Sequence, residues 1–170
     1  MSIGLLILRL VVGLTLAAHG AQKLFGWFGG YGVAGTGQFM EQLGFRPGRL
    51  YAAQAGFTEV LGGLFLATGF LTPAAAAMVG AVMLVAGVSA HIKKGFFAHN
   101  GGYEYTLVLG ATALGLAFTG PGAFSLDEAL GISWSGEAWG LAAVVAGLVG
   151  GAIPLLARKA VRTSAAQDAA

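Results

Sequence analysis

Two long apolar stretches of this chain carry charged residues that have no polar face to sit on. Ile3 to Phe25 holds Arg9, His19 and Lys23, and Leu50 to Leu71 holds Glu59. A soluble helix turns such residues to water. Segments this apolar are expected to cross a membrane, with their charges inside a helix bundle. Placing an ionisable side chain at mid-bilayer costs on the order of 2.5–3.5 kcal/mol even on the mild insertion scale, so each such residue marks a candidate site.

The composition agrees with a membrane protein. Hydrophobic residues make up 56% of the 170 positions and charged residues only 9%, against roughly 25% charge in a soluble domain. The fold class expected is an all-α integral membrane protein. Thirty glycines are spread through the apolar runs without a collagen-like period, and small residues let membrane helices approach closely. Cysteine is absent, which removes disulfides, thiolate metal sites and iron–sulfur ligation from this chain. No haem or flavin motif is present. The net charge of +2 comes without a basic stripe interleaved with aromatics, so no nucleic-acid partner is expected. Ser2 leads straight into the first apolar run, with no basic n-region and no small-residue cleavage site, so that run is expected to persist as a helix.

Five segments approach the roughly 17–25 helical residues that span a hydrocarbon core: Ile3–Phe25, Leu50–Leu71, Pro73–Ile92, Tyr103–Thr119 and Ala138–Ala157. Thr72-Pro73 reads as N-cap and first helical residue of a tight hairpin, and Gly120-Pro121-Gly122 stops the fourth span. Between the first two spans, Trp27, Phe28 and Tyr31 suit a headgroup boundary. The following stretch Gly37–Leu43, with Phe39, Met40 and Leu43 on one side, suits a turn or two lying on the bilayer or a lid over the bundle end. Lys23, Arg46, Arg49, Lys93, Lys94, Arg158, Lys159 and Arg162 fall on one side of the membrane. The other side carries Asp127, Glu128 and Glu137 and no lysine or arginine. By the positive-inside rule the basic side is cytoplasmic, with the N-terminus outside and the C-terminus inside.

At a rise of about 1.5 Å per residue, His19 lies roughly 9 Å and Glu59 about 13 Å from the cytoplasmic boundary, with Arg9 some 7 Å beyond Glu59. His91, His99 and Glu104 gather where the third span ends and the fourth begins. Two readings stay open for this column. It is either a polar cavity for a ligand headgroup, or Arg9 and Glu59 form a buried ion pair that sets helix register. His19 has the alternative of bonding a backbone carbonyl, and Lys23, near its helix end, of snorkelling to the interface. His19, Glu59 and His91 include the types of a two-His-one-carboxylate metal site, but without an HxxxH or ExxH spacing. Glu104 suits a helix N-terminus whatever its role.

The first span, LLILRLVVGLTLAAHGAQKLFGWFGG, resembles the opening signature of the DoxX family. The similarity continues through GFTEVLGGLFLATGFLTPAAA, KKGFFAHNGGYEYTLVL and GPGAFSLDEALG, in the same order and as far as about Gly131. The resemblance implies a small integral membrane protein with a four-helix core. It also implies an association with redox systems, since the family name comes from a subunit linked to thiosulfate:quinone oxidoreduction and some members are linked to oxidative-stress assemblies. Carried over by motif, Arg9, His19, Lys23, Glu59, His91 and Glu104 are the site candidates. Two features depart from the pattern: Ala123 stands where relatives often have a basic residue, and Ala138–Ala157 is an addition to the four-helix core.

The chain is therefore expected to form a transmembrane core over residues 1–131 with an interfacial segment 26–49, a further span over 138–157 and a disordered tail over 161–170. The leading expectation is a cell-membrane subunit of an oxidoreductase system, with a partner protein supplying electrons and quinone as the candidate ligand. In it His19 is the headgroup donor, Glu59 the proton acceptor and Arg9 the charge balance. A non-catalytic anchor or assembly factor is the alternative, and a small-molecule carrier a third, less favoured because no inverted repeat of broken helices is evident. Faces of small residues would permit a homo-oligomer.

Overall fold

The computed structural model describes the backbone of residues 2–167 and side chains as far as Arg158. Helix α1 is Ser2–Phe25, α2 is Gly32–Gln42, α3 is Gly48–Thr68, α4 is Thr72–Ala86, α5 is Glu104–Thr119, α6 is Leu126–Ala129 and α7 is Glu137–Gln167. Helix α4 continues through a π turn over Gly87–His91 and a tight turn over Ile92–Lys94. Among the described residues, four helices are long and apolar enough to cross a membrane. Helix α5, with 16 residues, is the shorter fifth.

Helices α1, α3, α4 and α5 form the core bundle, and α7 lies against α4 and α5 from outside. The bundle interior is aliphatic, with Leu16, Leu66, Val79 and Ala113 excluded from the surface. Ala76, Ala117 and Ala143 form a second small cluster that seats α7. Outward, Ile3, Ile7 and Val11 on α1 and Val145, Ile153 and Leu156 on α7 are all exposed. Apolar faces of that extent belong in acyl chains, not water.

The contact between α1 and α3 sets the frame for the site. Gly13 and Ala17 on α1 meet Gly63 and Ala67 on α3, and Gly20 meets Gly56 and Val60. A methyl on Gly63 would stand 2.5 Å from the Gly13 carbonyl oxygen and 2.7 Å from the Ala17 nitrogen. Backbones this close are the usual product of small residues spaced along facing membrane helices. They fix the axial register of α1 on α3 without help from charge.

At the acidic end, Gly69 (φ 65°) closes α3 in the left-handed region that glycine tolerates. Leu71, not Thr72, is the N-cap of α4, and neither residue's side chain caps the helix. That service comes from Asp127 on α6. Its carboxylate accepts from Leu71 N (2.7 Å), Thr72 N (2.9 Å) and Thr72 Oγ1 (2.7 Å). The expected Thr72 cap is thus replaced by a carboxylate from another element, which satisfies orphan N–H groups and favours the positive helix end. Stacked Trp134 and Trp139 (centroids 4.8 Å) lie at the same end, where amphipathic rings anchor a membrane protein.

At the basic end, α2 is a full helix packed on the start of α3, with Thr36 and Gly37 buried, rather than the one or two turns expected. Phe39 and Tyr31 remain exposed on its outer side. Helix α7 carries its helical backbone to Gln167, where a disordered tail from Val161 was expected; residues 168–170 lie outside the described residues.

Candidate functional site

One helical turn separates His19 from Lys23 on α1, so both present to the same side. Opposite them on α3 is Glu59, 2% exposed. Lys23 Nζ donates to Glu59 Oε2 at 2.5 Å. Gly56 makes this reach possible. It faces the Lys23 and Leu24 stems at a distance where a side chain of its own would crowd them, so the lysine stem passes inward rather than out to the interface. The expected snorkelling of Lys23 is overturned, because a buried carboxylate one turn deeper offers its ammonium a better partner than water.

The rest of the cluster is built around the imidazole. His19 Nδ1 lies 3.1 Å from Gln22 Oε1, and Nε2 lies 3.4 Å from the Tyr105 hydroxyl, with the two rings edge to face at 5.8 Å. Gln22 Nε2 in turn donates to the Phe28 carbonyl, tying the site to the turn after α1. Tyr105, from the first turn of α5, is 44% exposed. The seam between α1 and α5 is the thin side of the bundle, so the cluster is partly open through it at Tyr105. Its chemistry is a neutralised buried charge pair with a phenol, an imidazole and a carboxamide beside it: several donors and one strong acceptor in an apolar wall.

Arg9 is not part of this cluster. It is fully buried at the acidic end, where Nη2 donates to the Phe124 carbonyl at 2.5 Å, the guanidinium packs on Gly69 and the Asp127 carboxylate is within electrostatic reach. Ten residues of α3 separate Gly69 from Glu59, about 15 Å of helix. The expected Arg9–Glu59 pair therefore does not form. The register set by the glycine contacts puts Arg9 opposite the end of α3, higher than counting from span boundaries suggested.

His91 and Glu104 also stand apart, and both fasten the loop between α4 and α5. His91 Nδ1 lies 2.7 Å from the Gly101 carbonyl, and Glu104 Oε2 accepts from Ala98 N at 2.9 Å. His99 is exposed, its ring tilted against Phe97. No group of three or more His, Asp and Glu side chains among the described residues is arranged to hold a metal ion. Of six site candidates, then, His19, Lys23 and Glu59 come together, Arg9 sits at the opposite end, and His91 and Glu104 order a loop. Sequence reasoning missed Tyr105 and Gln22. Gln22 carried a signal, being three residues after His19 on the same helix face; Tyr105, next to Glu104, carried none.

Comparison with known proteins is consistent with this architecture. The DoxX family model matches residues 4–92, just over half the chain, and takes in α1 through the π turn of α4. The inner membrane protein YqjF of Escherichia coli (strain K12) is 30% identical over 132 residues, covering 78% of this chain and 95% of that protein. No solved structure matches. With its bundle of long apolar helices, the chain is a multi-pass membrane protein and belongs to the DoxX family.

Proposed function

We propose that the Lys23–Glu59 pair, with His19 and Tyr105, is the headgroup site for a lipid-soluble carrier. A quinone fits its chemistry best, and the chain would serve as the membrane subunit of an oxidoreductase system. The observation that carries this reading is a buried ion pair beside a phenol that is nearly half exposed. Quinone carbonyls need donors, which the Tyr105 hydroxyl, the Lys23 ammonium and the His19 ring supply. The hydroxyls of a quinol need an acceptor, which Glu59 supplies. Imidazole and carboxylate are also the groups that most often move protons at such sites. Lys23 takes the charge-balancing role first assigned to Arg9. Electrons would come from a partner protein, since the chain has no cysteine and no haem or flavin motif. In this reading the basic end of the bundle faces the cytoplasm.

The alternative, an anchor whose buried charges only set register, is less well supported. The glycine contacts between α1 and α3 already fix that register. The test is titration of the purified protein in lipid nanodiscs with a short-chain ubiquinone analogue. A hydrogen bond involving a charged group contributes about 1.5–3 kcal/mol, so Glu59→Gln and Lys23→Met should each weaken binding about tenfold or more. Tyr105→Phe should weaken it by less, and Glu104→Gln should leave it unchanged. Equal affinity across the four variants would refute the assignment.

A further inference from the structure

Lys23 belongs to two compartments. Its ammonium bonds buried Glu59, and the residue also lines a separate cavity of about 540 Å³ at the basic end of the bundle. That cavity lies between the end of α1, the turn over residues 27–31 and α2. Gln22, Tyr31, Thr36, Gln38 and Gln42 are among its lining residues, and Gly29, Gly30 and Gly35 widen it. Two other cavities along the bundle are more apolar: one between α4 and α5 is walled by Met83, Leu84, Leu107 and Leu114, and one between α1 and α3 by Leu6, Leu10 and Leu14. A roomy space with several amide and hydroxyl groups suits water, which needs polar partners to stay.

We propose that this cavity is the aqueous route by which protons reach Glu59 from the basic side of the membrane, with Lys23 as its gate. The side chain of Lys23 is 24% exposed and that of Glu59 only 3%, so the lysine forms the floor between water and carboxylate. A hydronium ion entering the cavity gives its proton to the Glu59 carboxylate, leaving neutral carboxyl and water. Loss of the carboxylate charge removes the attraction that holds Nζ, and the ammonium is then free to turn into the cavity and be solvated. The reverse sequence returns the proton to the same side. The titratable groups that face Glu59 are Lys23 and His19 from α1 and Tyr105 from α5. Helix α4 carries no titratable side chain, and the nearest on α2, Glu41, is engaged with Gly48 N. The route is thus one-sided: water-side access through Lys23, lipid-side access past Tyr105. It holds whichever ligand occupies the lipid side, so it stands or falls separately from quinone binding.

The absence of cysteine makes the test direct. Single cysteines at Gln38 and Gln42, both on exposed positions of α2, are treated in sealed vesicles with a membrane-impermeant thiosulfonate, with Lys93→Cys as the reference for the basic side. With the medium acidified to protonate Glu59, proton–deuteron exchange at its carboxyl is then followed by infrared spectroscopy, the band being assigned by its loss in Glu59→Gln. The expected result is labelling of Gln38→Cys and Gln42→Cys from the same side as Lys93→Cys, with exchange at Glu59 slowed at least tenfold after labelling. Labelling from neither side, labelling only from the opposite side, or exchange unaffected by the modification would each overturn the proposal.

Discussion

Replacing Asp127 with alanine removes the acceptor for three buried or half-buried donors at once: Leu71 N, Thr72 N and Thr72 Oγ1. Asp127 itself is 1% exposed, so water does not readily take over its role. Each donor left unpaired costs about 1–3 kcal/mol. The Thr72 hydroxyl can rotate toward another acceptor, and the alanine leaves room for some solvent. Together these bring the expected loss to about 3 kcal/mol, the low end of the sum. Asp127→Asn keeps one acceptor oxygen but gives up the charge at the start of α4, for a loss of about 1–2 kcal/mol. Stability is read by reversible unfolding in bicelles with steric trapping, which reports on the native lipid-like state. The double variant Thr72→Val with Asp127→Ala should cost less than the sum of its parts by about 1 kcal/mol, because the two groups share a bond. An Asp127→Ala protein within about 0.5 kcal/mol of the parent, the scatter expected of neutral surface changes, would show that the carboxylate does not hold the α3–α4 turn.

Gly63→Leu should fail to assemble or lose more than about 3 kcal/mol, beyond the usual cost of overpacking, since its first carbon already meets the α1 backbone; the same unfolding assay checks it. Lys23→Met should destabilise by about 2–3 kcal/mol, below the full cost of orphaning a buried charge because the pair keeps some exposure. Adding Glu59→Leu should restore most of that loss, and an additive double variant would mean that the two groups are not coupled. His91→Ala should free the loop over 95–103, seen as faster amide exchange at Gly101 and Gly102 with little change in global stability.

The spans were legible because each apolar run is long and two of the stops are chemical: Pro73 in the first turn of α4 and Gly120 after α5. The end of α3 at Gly69 was not, and the second span was expected to run to Leu71. Axial register was not legible either. Counting residues from span ends placed Arg9 near Glu59, whereas the glycine faces of α1 and α3 set the pairing and put Arg9 beside Gly69. The rule that buried charges seek partners held, with a different partner: Lys23 fills the place given to Arg9 because Gly56 lets its stem turn inward. Asp127 was counted only as a charge marking one side of the membrane. Its capping of α4 depends on a contact between residues 55 positions apart, which no local pattern encodes. Tyr105 entered the site for a similar reason, since the α1–α5 seam is defined by the closed bundle alone.

The central claim is that the intramembrane pair at Lys23 and Glu59 holds a ligand rather than serving only to join two helices. Native mass spectrometry of the protein released gently from its own membrane tests this most directly, with wild type and Glu59→Gln compared side by side. The account predicts an isoprenoid quinone retained by the wild type and lost from the folded variant. Wild-type protein that carries only phospholipid, or a variant that retains the same quinone to the same extent, would contradict it.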